Sequence, residues 1–263
     1  MAGRVDAAGV VLAGGRSSRM GTPKSSLEWH GSTLLYRTAA LLMRTVTGPV
    51  VVVVGADGGG MWELPPLPPG VVIARDPAPG LGPLQGISAG LAAVRAADRA
   101  FVCATDMPFL HPAFVRAVLG ALDGDVALPV ARGHRQPLAA AYRVGLAPSV
   151  AALLDAGGRT PGELFARSRV SVLDDAALRA DPAVARLDPE LESLTNVNTP
   201  AEYAAARARP PAPVVVERAG VRRTVRAATL AEAGPGSAVL LNGEPVAPDP
   251  LLPLVAGDTL VLR

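Results

Sequence analysis

The sequence predicts an α/β fold on a mainly parallel sheet, followed by a small second unit of β type. Three observations carry this. Short β-branched runs alternate with longer segments from residue 8 to residue 130. In the longer segments apolar residues recur three and four apart, the period of a helix with one buried face. A proline-rich break at RPPAPV (209–214) separates this alternation from a tail with hairpin grammar.

Taken in order, AGVVLAG (8–14), PVVVVVG (49–55), VVIA (71–74), AFVCATD (100–106) and DVALPV (125–130) read as buried strands. Between them STLLYRTAALLMRTV (32–46), PLQGISAGLAAVRAA (83–97) and PAFVRAVLGAL (112–122) read as helices. Strand and helix at this spacing build right-handed βαβ units on a parallel sheet, whose ligands sit beyond the carboxyl ends of the strands. From about 137 to 204 the order loosens to a strand PLAAAY, a helix around LAPSVAALLDAG, a helix PGELFARS, a strand VSVL, the segment NVN and a last helix PAEYAAARA. After the break, which cannot continue a helix, VVVERAGVRRTVR reads as a hairpin. TLAEA offers one or two helical turns, and SAVLLNGEPVA and DTLVLR are strands around an Asn-Gly turn. The division expected is a domain over 1–208, a linker over 209–213 and a second unit over 214–263, the last marginal by size alone and so expected to pack on the first domain or on a partner.

The 263 residues are 49% hydrophobic and 18% charged, a globular composition. The net charge is +2 and the arginines are scattered, so no footprint for nucleic acid is visible. No run of about 18 apolar residues suggests a membrane span or anchor. The single cysteine, Cys103, excludes an internal disulfide and a cysteine-rich zinc site, and cytoplasm is the expected compartment. Of the 25 basic residues all but Lys24 are arginine. Lysine is a compact point charge that reaches a phosphate without a planar fork, so its retention here hints at phosphate chemistry.

Three loops leave strand ends with residues able to carry chemistry. In VVLAGGRSSRMGTPK (10–24) five residues separate Gly15 from Gly21, and Thr22 and Pro23 precede Lys24, so the Walker A spacing fails; GGRSSRMG also lacks the GxGxxG spacing. What remains is a glycine loop whose amides can approach an anion, with Arg16, Arg19 and Lys24 to neutralise a triphosphate; the alternative is a solvated turn. In ARDPAPGLGPLQGISAG (74–90), Asp76 ends a strand, and Gly80, Gly82 and Gly86 keep the loop thin enough for backbone to touch a ligand; an irregular connection reads equally well. In ATDMPFL (104–110), Asp106 follows the most apolar strand and Pro108 prevents immediate helix continuation. A carboxylate there suits Mg²⁺, which takes one or two carboxylates plus phosphate oxygens, or it caps a helix. Cys103 reads as a small core residue, and His30, His111 and His134 have no metal-ligand spacing.

Together LAGGRSSRMGTPK (12–24), DPAPGLGPLQG (76–86), TDMPFL (105–110), RQPLAAAYR (135–143), GGRT (157–160) and NVNTPAEY (196–203) resemble the molybdenum-cofactor guanylyltransferase family, the MobA-like nucleotidyltransferases. The resemblance covers nearly all of 8–205. It implies a Rossmann-like three-layer domain that binds GTP and, with Mg²⁺, transfers GMP to molybdopterin with release of pyrophosphate. By position it implies that Leu12, Ala13, Gly14 and Gly15 line the base and phosphates through their backbone. Arg19 and Lys24 would hold the triphosphate, Asp76, Gly82 and Pro83 would contact the nucleotide, and Asp106 would bind Mg²⁺. Gln136, Arg159, Asn196 and Asn198 would belong to the pterin side or the closing wall. The strand period of two puts both asparagines on one face. Catalysis would rest on Arg19, Lys24 and Asp106, since nucleotidyl transfer needs positioning and charge stabilisation and little covalent work. Related cytidylyltransferases usually show a single glycine, as in LAAG, where this chain has Gly14-Gly15; another acceptor, or a nucleotide-binding scaffold that delivers cofactor, are the alternatives.

The tail, through AVLLNGEPV and VAGDTLVLR, resembles the small β-grasp sulfur carriers of the molybdopterin and thiamine pathways. It departs from them in a nearly missing helix and in ending at Arg263 without a Gly-Gly tail. That implies docking, to molybdoenzymes or other cofactor-pathway proteins, or dimerisation, in place of sulfur transfer.

Overall fold

The computed structural model describes residues 3–14, 23–55, 64–77, 82–234 and 239–263. Its elements run β1 Ala8–Leu12, the two-residue strands β2 Glu28–Trp29 and β3 Ser32–Thr33, α1 Leu34–Met43, β4 Val50–Val54, β5 Val72–Arg75, α2 Pro83–Ala93, β6 Arg99–Ala104 and α3 Pro112–Gly120. They continue with β7 Val126–Ala131, β8 His134–Arg135, β9 Ala139–Arg143, α4 Ala147–Asp155, α5 Pro161–Phe165, β10 Val170–Asp174, α6 Asp175–Ala180, α7 Pro182–Leu187 and α8 Pro200–Arg207. The tail adds β11 Pro213–Arg218, β12 Val221–Arg226, α9 Leu230–Ala233, β13 Val239–Leu241, β14 Glu244–Val246 and β15 Thr259–Leu262.

The main sheet has the order β10-β7-β9-β6-β1-β4-β5, with β8 pairing β7. Only β9, antiparallel to β6 and β7, and β8 break the parallel rule, so the carboxyl ends of β1, β4, β5, β6, β7 and β10 share one edge. The five valines of β4 show why the sheet is buried on both faces. Val50, Val52 and Val54 pack with Leu35, Ala39 and Leu42 of α1 and Phe114 and Val118 of α3; Val51 and Val53 pack with Leu84, Ile87 and Leu91 of α2 and Val150 of α4. Each such side chain contributes on the order of 1.5–3 kcal/mol on burial. Close helix approach is set by glycine: a Cβ on Gly90 of α2 would stand 2.4 Å from Val10 Cγ1 of β1.

The chain leaves β1 for β4 and β5 on one side and returns to β6 on the other, so the strand order switches between β1 and β6. Such a switch point is where an open α/β sheet forms its ligand crevice. Thr105 Oγ1 donates to the Leu12 carbonyl at 3.0 Å and ties the two strand ends together.

The structure corrects three details of the sequence reading. VVIA was expected to be buried, yet β5 is the sheet edge, with Val72 and Ile73 exposed by 47% and 49%. The hairpin β2–β3 takes residues 32–33 from the start of the expected helix, because Thr33 is the N-cap of α1 and accepts from the Tyr36 amide. Pro213, placed in the break, already pairs with Arg226 as the first residue of β11, where a missing amide costs little.

The tail forms a five-stranded sheet, β12-β11-β15-β13-β14, with a parallel β11–β15 pair between two antiparallel hairpins. Both hairpin turns use left-handed pairs, Ala219-Gly220 at φ 48° and 76° and Asn242-Gly243 at φ 53° and 88°. Its core of Val214, Val216, Leu230, Leu241, Leu252, Leu254, Leu260 and Leu262 is small. The sheet docks on α1, where Arg44 donates to both oxygens of buried Asp258 (2.5 and 2.9 Å) and Tyr36 Oη donates to Asp249 at 2.7 Å. No helix among the described residues is long and apolar enough to cross a membrane.

Candidate active site

Lys24 opens a single 3₁₀ turn, Lys24–Ser26, after Pro23. Its ammonium donates to Asp106 Oδ2 at 2.5 Å and to Asn198 Oδ1 at 2.7 Å. Asn196 Nδ2 donates to the other Asp106 oxygen at 3.2 Å. Asp106 thus sits at the end of β6, nearly buried, with a cation on one oxygen and an amide on the other.

The NVN segment is held to this pair by its own alternation. Val197 is 1% exposed and its amide donates to the Asp106 carbonyl at 3.0 Å, which turns Asn196 and Asn198 to the opposite side. No ladder forms at these residues, yet the extended period of two acts as the sequence predicts. The segment meets Lys24 through Asn198 and Asp106 through Asn196. Behind it Thr199 and Glu202 form a capping box that starts α8, and Glu202 also accepts from the Asn198 amide at 2.7 Å. That amide, first among its partners, holds the Glu202 carboxyl below the usual range. The β2–β3 hairpin secures α8: Tyr203 Oη donates to the Glu28 carbonyl at 2.5 Å, and Trp29 packs with Val197 and Ala206 and edge-on to Phe109. Lys24, the Asp106 loop and NVN therefore share one apolar floor.

The other predicted residues fall around the same sheet edge. Leu12 ends β1, the Ala13 amide donates to the Val53 carbonyl at 2.8 Å, and Gly14 is exposed with its Cβ direction 3.2 Å from the Gly55 amide nitrogen. Gly15, Arg16, Arg19 and Gly80 lie outside the described residues. Gly82 is the N-cap of α2 at φ 77° and Pro83 its first residue; the Arg159 carbonyl stands 3.2 Å from where a Gly82 Cβ would be, so the 157–160 turn flanks the start of α2. The Arg159 guanidinium itself turns back to the Leu154 and Gly158 carbonyls at 3.0 and 2.6 Å. Gln136 precedes β9, whose Ala139 pairs Cys103 of β6, and so lies on the Asp106 edge.

Asp76, at the end of β5, carries an oxygen, Oδ1, that is buried and without a hydrogen-bond partner among the described residues, and burial raises its carboxyl above the ordinary value. β5 and β6 are three strand spacings apart, roughly 14 Å, so Asp76 and Asp106 cannot share one ion. No cluster of three or more His, Cys, Asp or Glu able to hold a metal occurs among the described residues. The donors fit a cation completed by ligand oxygens, since Asp106 is a lone carboxylate beside a cation that could transfer to a phosphate. Cys103 is fully buried and its thiol is pushed far up by burial, in keeping with a core role. Sequence reasoning missed Thr105, Glu202 and the 28–33 hairpin, all of which act on backbone positions.

A mainly parallel α/β sheet with a lysine–aspartate pair at its switch point is the layout of an enzyme that handles nucleotide phosphates. Comparison with known proteins gives the class a family. The sequence matches the MobA-like NTP transferase domain over residues 9–171. It is 34% identical over 204 residues to a probable molybdenum cofactor guanylyltransferase of Pelotomaculum thermopropionicum, covering 77% of this chain and 93% of that one. To a probable molybdenum cofactor guanylyltransferase of Mycobacterium tuberculosis it is 42% identical over 207 residues, covering 75% and 91%. Among solved structures it resembles molybdopterin-guanine dinucleotide biosynthesis protein A from Archaeoglobus fulgidus (TM-score 0.58, 24% identity, 76% and 96% covered). It also resembles a Thermus thermophilus 2-C-methyl-D-erythritol 4-phosphate cytidylyltransferase (TM-score 0.51, 19% identity, 78% and 98% covered); at these identities both likenesses concern the fold. The chain belongs to the MobA-like nucleotidyltransferase family.

Proposed function

We propose that the protein transfers GMP from GTP to the terminal phosphate of molybdopterin, releasing pyrophosphate. The observation that carries the reading is the Lys24 ammonium held between Asp106 and Asn198 at the β1/β6 switch point. The named activity of relatives up to 42% identical supports guanine as the base and molybdopterin as the acceptor. The five-stranded tail supports a β-grasp-like reading of residues 214–263, and the proposed setting is the cytoplasm.

In this mechanism the β1 loop presents backbone amides around Gly14 to the phosphates, a close approach that side chains would block. Lys24 gives its ammonium to an oxygen of the triphosphate and, with Arg19, offsets charge that grows on the leaving pyrophosphate. Asp106 would hold Mg²⁺, which when bound lowers the charge on the α-phosphate. Asn196 and Asn198 keep Asp106 and Lys24 in place as the pair separates. Asp76 accepts from a donor on the nucleotide, through an oxygen that has no hydrogen-bond partner among the described residues. Gln136 and Arg159 line the acceptor side. No protein nucleophile is required, since the attacking group is the acceptor's phosphate.

The test is pyrophosphate release by the purified protein with molybdopterin, Mg²⁺ and each nucleoside triphosphate in turn. GTP-dependent release with guanylylated product is expected; a preference for CTP would move the assignment to cytidylyl transfer, and binding of GTP without release would leave a nucleotide-binding scaffold.

A further inference from the structure

Arg37 lies on α1, a helix whose pattern would place an arginine in solvent, yet it is 9% exposed. Its guanidinium reaches three backbone carbonyls on two bodies. Nε donates at 2.9 Å to Pro108, two residues past Asp106, while the terminal nitrogens approach Ala228 and Leu254 of the tail at 3.4 and 3.5 Å. Burial, then the nearby Arg44 charge, lowers its pKa to about 10, so the guanidinium stays protonated at neutral pH. The same loop is held a second time by the tail. His111 Nδ1 accepts from the Ala113 amide at 3.0 Å, so Nε2 carries the proton and donates to the Ala256 carbonyl at 3.0 Å. Between the two clamps Phe109 packs on Trp29 and lies under the Arg209 guanidinium at 4.2 Å.

We propose that the C-terminal module is a structural part of the transferase site, and that Arg37 is a positioning residue through which it fixes the 105–111 loop and with it the Asp106 carboxylate. The inference rests on the reading of Asp106 as the working carboxylate of nucleotidyl transfer. A carboxylate displaced by an ångström costs such a reaction heavily; Met107 and Leu110 root the loop in the main core, at 2% and 0% exposed, and Arg37 fixes the Pro108 carbonyl between them. The guanidinium suits the task because its fixed fork serves several acceptors at once, where an ammonium serves a point.

The experiment compares full-length wild type with Arg37→Lys, Arg37→Met and two controls. Tyr36→Phe removes the Tyr36–Asp249 bond on the same helix without touching the loop. Val150→Ala loosens the core on the opposite face of the sheet. Hydrogen exchange of the 105–111 amides and steady-state kinetics are read together with melting temperature. We expect Arg37→Lys to lower kcat by about ten- to a hundredfold with KM for GTP nearly unchanged, and to speed exchange in 105–111. Tyr36→Phe should change neither, and Val150→Ala should lower the melting temperature without the local exchange. Wild-type exchange and kcat in folded Arg37→Lys would overturn the proposal, as would equal effects from Val150→Ala; equal effects from Tyr36→Phe, whose bond also docks the tail, would overturn the assignment to Arg37. Should Arg37→Met not fold, Arg37→Lys carries the test. A wild type that turns over no GTP would defeat the proposed function, while the exchange comparison would still decide whether the module fixes the loop.

Discussion

Lys24 Nζ lies 2.5 Å from Asp106 Oδ2, and Asn196 Nδ2 lies 3.2 Å from the other oxygen of the same carboxylate. The pair joins residues 82 positions apart, Lys24 at the start of its 3₁₀ turn and Asp106 just past the end of β6. In a site for an anionic ligand this arrangement stores a cation beside the place where phosphate arrives, neutralised until it is needed. Asp106→Asn keeps an oxygen for Lys24 and much of the packing but removes the charge. We expect turnover to fall by about two orders of magnitude or more, with a melting temperature close to wild type, and Lys24→Ala to lose a similar factor. Pyrophosphate release and thermal melting on the same samples check both.

Asp76 leads to an expectation of opposite sign in two measurements. Its buried oxygen without a hydrogen-bond partner among the described residues, and its carboxyl raised by burial, mark it as a candidate ligand contact. Asp76→Asn should leave the unliganded protein as stable as wild type or slightly more stable, because burial disfavours the charged carboxyl that the amide replaces. The same variant should lose most of the thermal stabilisation that GTP confers. A variant that is destabilised and still responds fully to GTP would assign Asp76 to the fold.

How much of this was legible beforehand follows from what each residue contacts. The valines of β4 and the run AFVCA announce buried strands because every position meets apolar partners. NVN announced a paired face because alternation survives without a ladder. The sequence could not show that Asn198 meets Lys24, since that distance depends on the floor of Leu27, Trp29, Leu34 and Val197. The hairpin at 28–33 escaped notice because its strands are two residues long and its turn rests on His30 in the left-handed region, φ 50°. Helices α6 and α7 were invisible because each buries a single side chain, Leu178 and Val184, too few for a period. Nothing in the sequence singles out Arg37, since its partners are backbone carbonyls with no sequence signature.

Packing of α2 on β1 gives a graded expectation. A Cβ on Gly90 would stand 2.4 Å from Val10 Cγ1, in the middle of a buried strand, whereas one on Gly86 would stand 3.1 Å from the end of the Leu12 side chain. Gly90→Ala should destabilise by about 1–3 kcal/mol through overpacking, and Gly86→Ala by clearly less. Chemical denaturation of the two variants beside wild type reads the difference.

Asp258 receives both Arg44 nitrogens, the Asn242 amide at 2.9 Å and the Val255 backbone amide at 2.9 Å. Asp258→Ala leaves the buried Arg44 guanidinium without its counter-charge and should cost about 3–5 kcal/mol. The double change Arg44→Met with Asp258→Ala should recover part of that loss, because no lone charge remains. Simple addition of the two single losses would mean that the pair is not coupled.

The histidines set the response to mild acid. Burial, the largest cause, lowers the pKa of His111 below 6.5, and burial likewise lowers that of His30. The unfolded chain then binds more protons than the folded one as pH falls through 6.5 toward the depressed values, so stability rises with pH across this window and falls on acidification. The slope is bounded at about 1.4 kcal/mol per pH unit for each histidine. His111→Asn retains a side chain able to cap α3 and accept from the Ala113 amide, and it removes the titration. Its stability between pH 5 and pH 7 should be flatter than that of wild type, with His30 accounting for the slope that is left. Parallel curves for the two proteins would mean that His111 is protonated as readily in the fold as out of it, which its burial and the Ala113 amide donated to Nδ1 oppose.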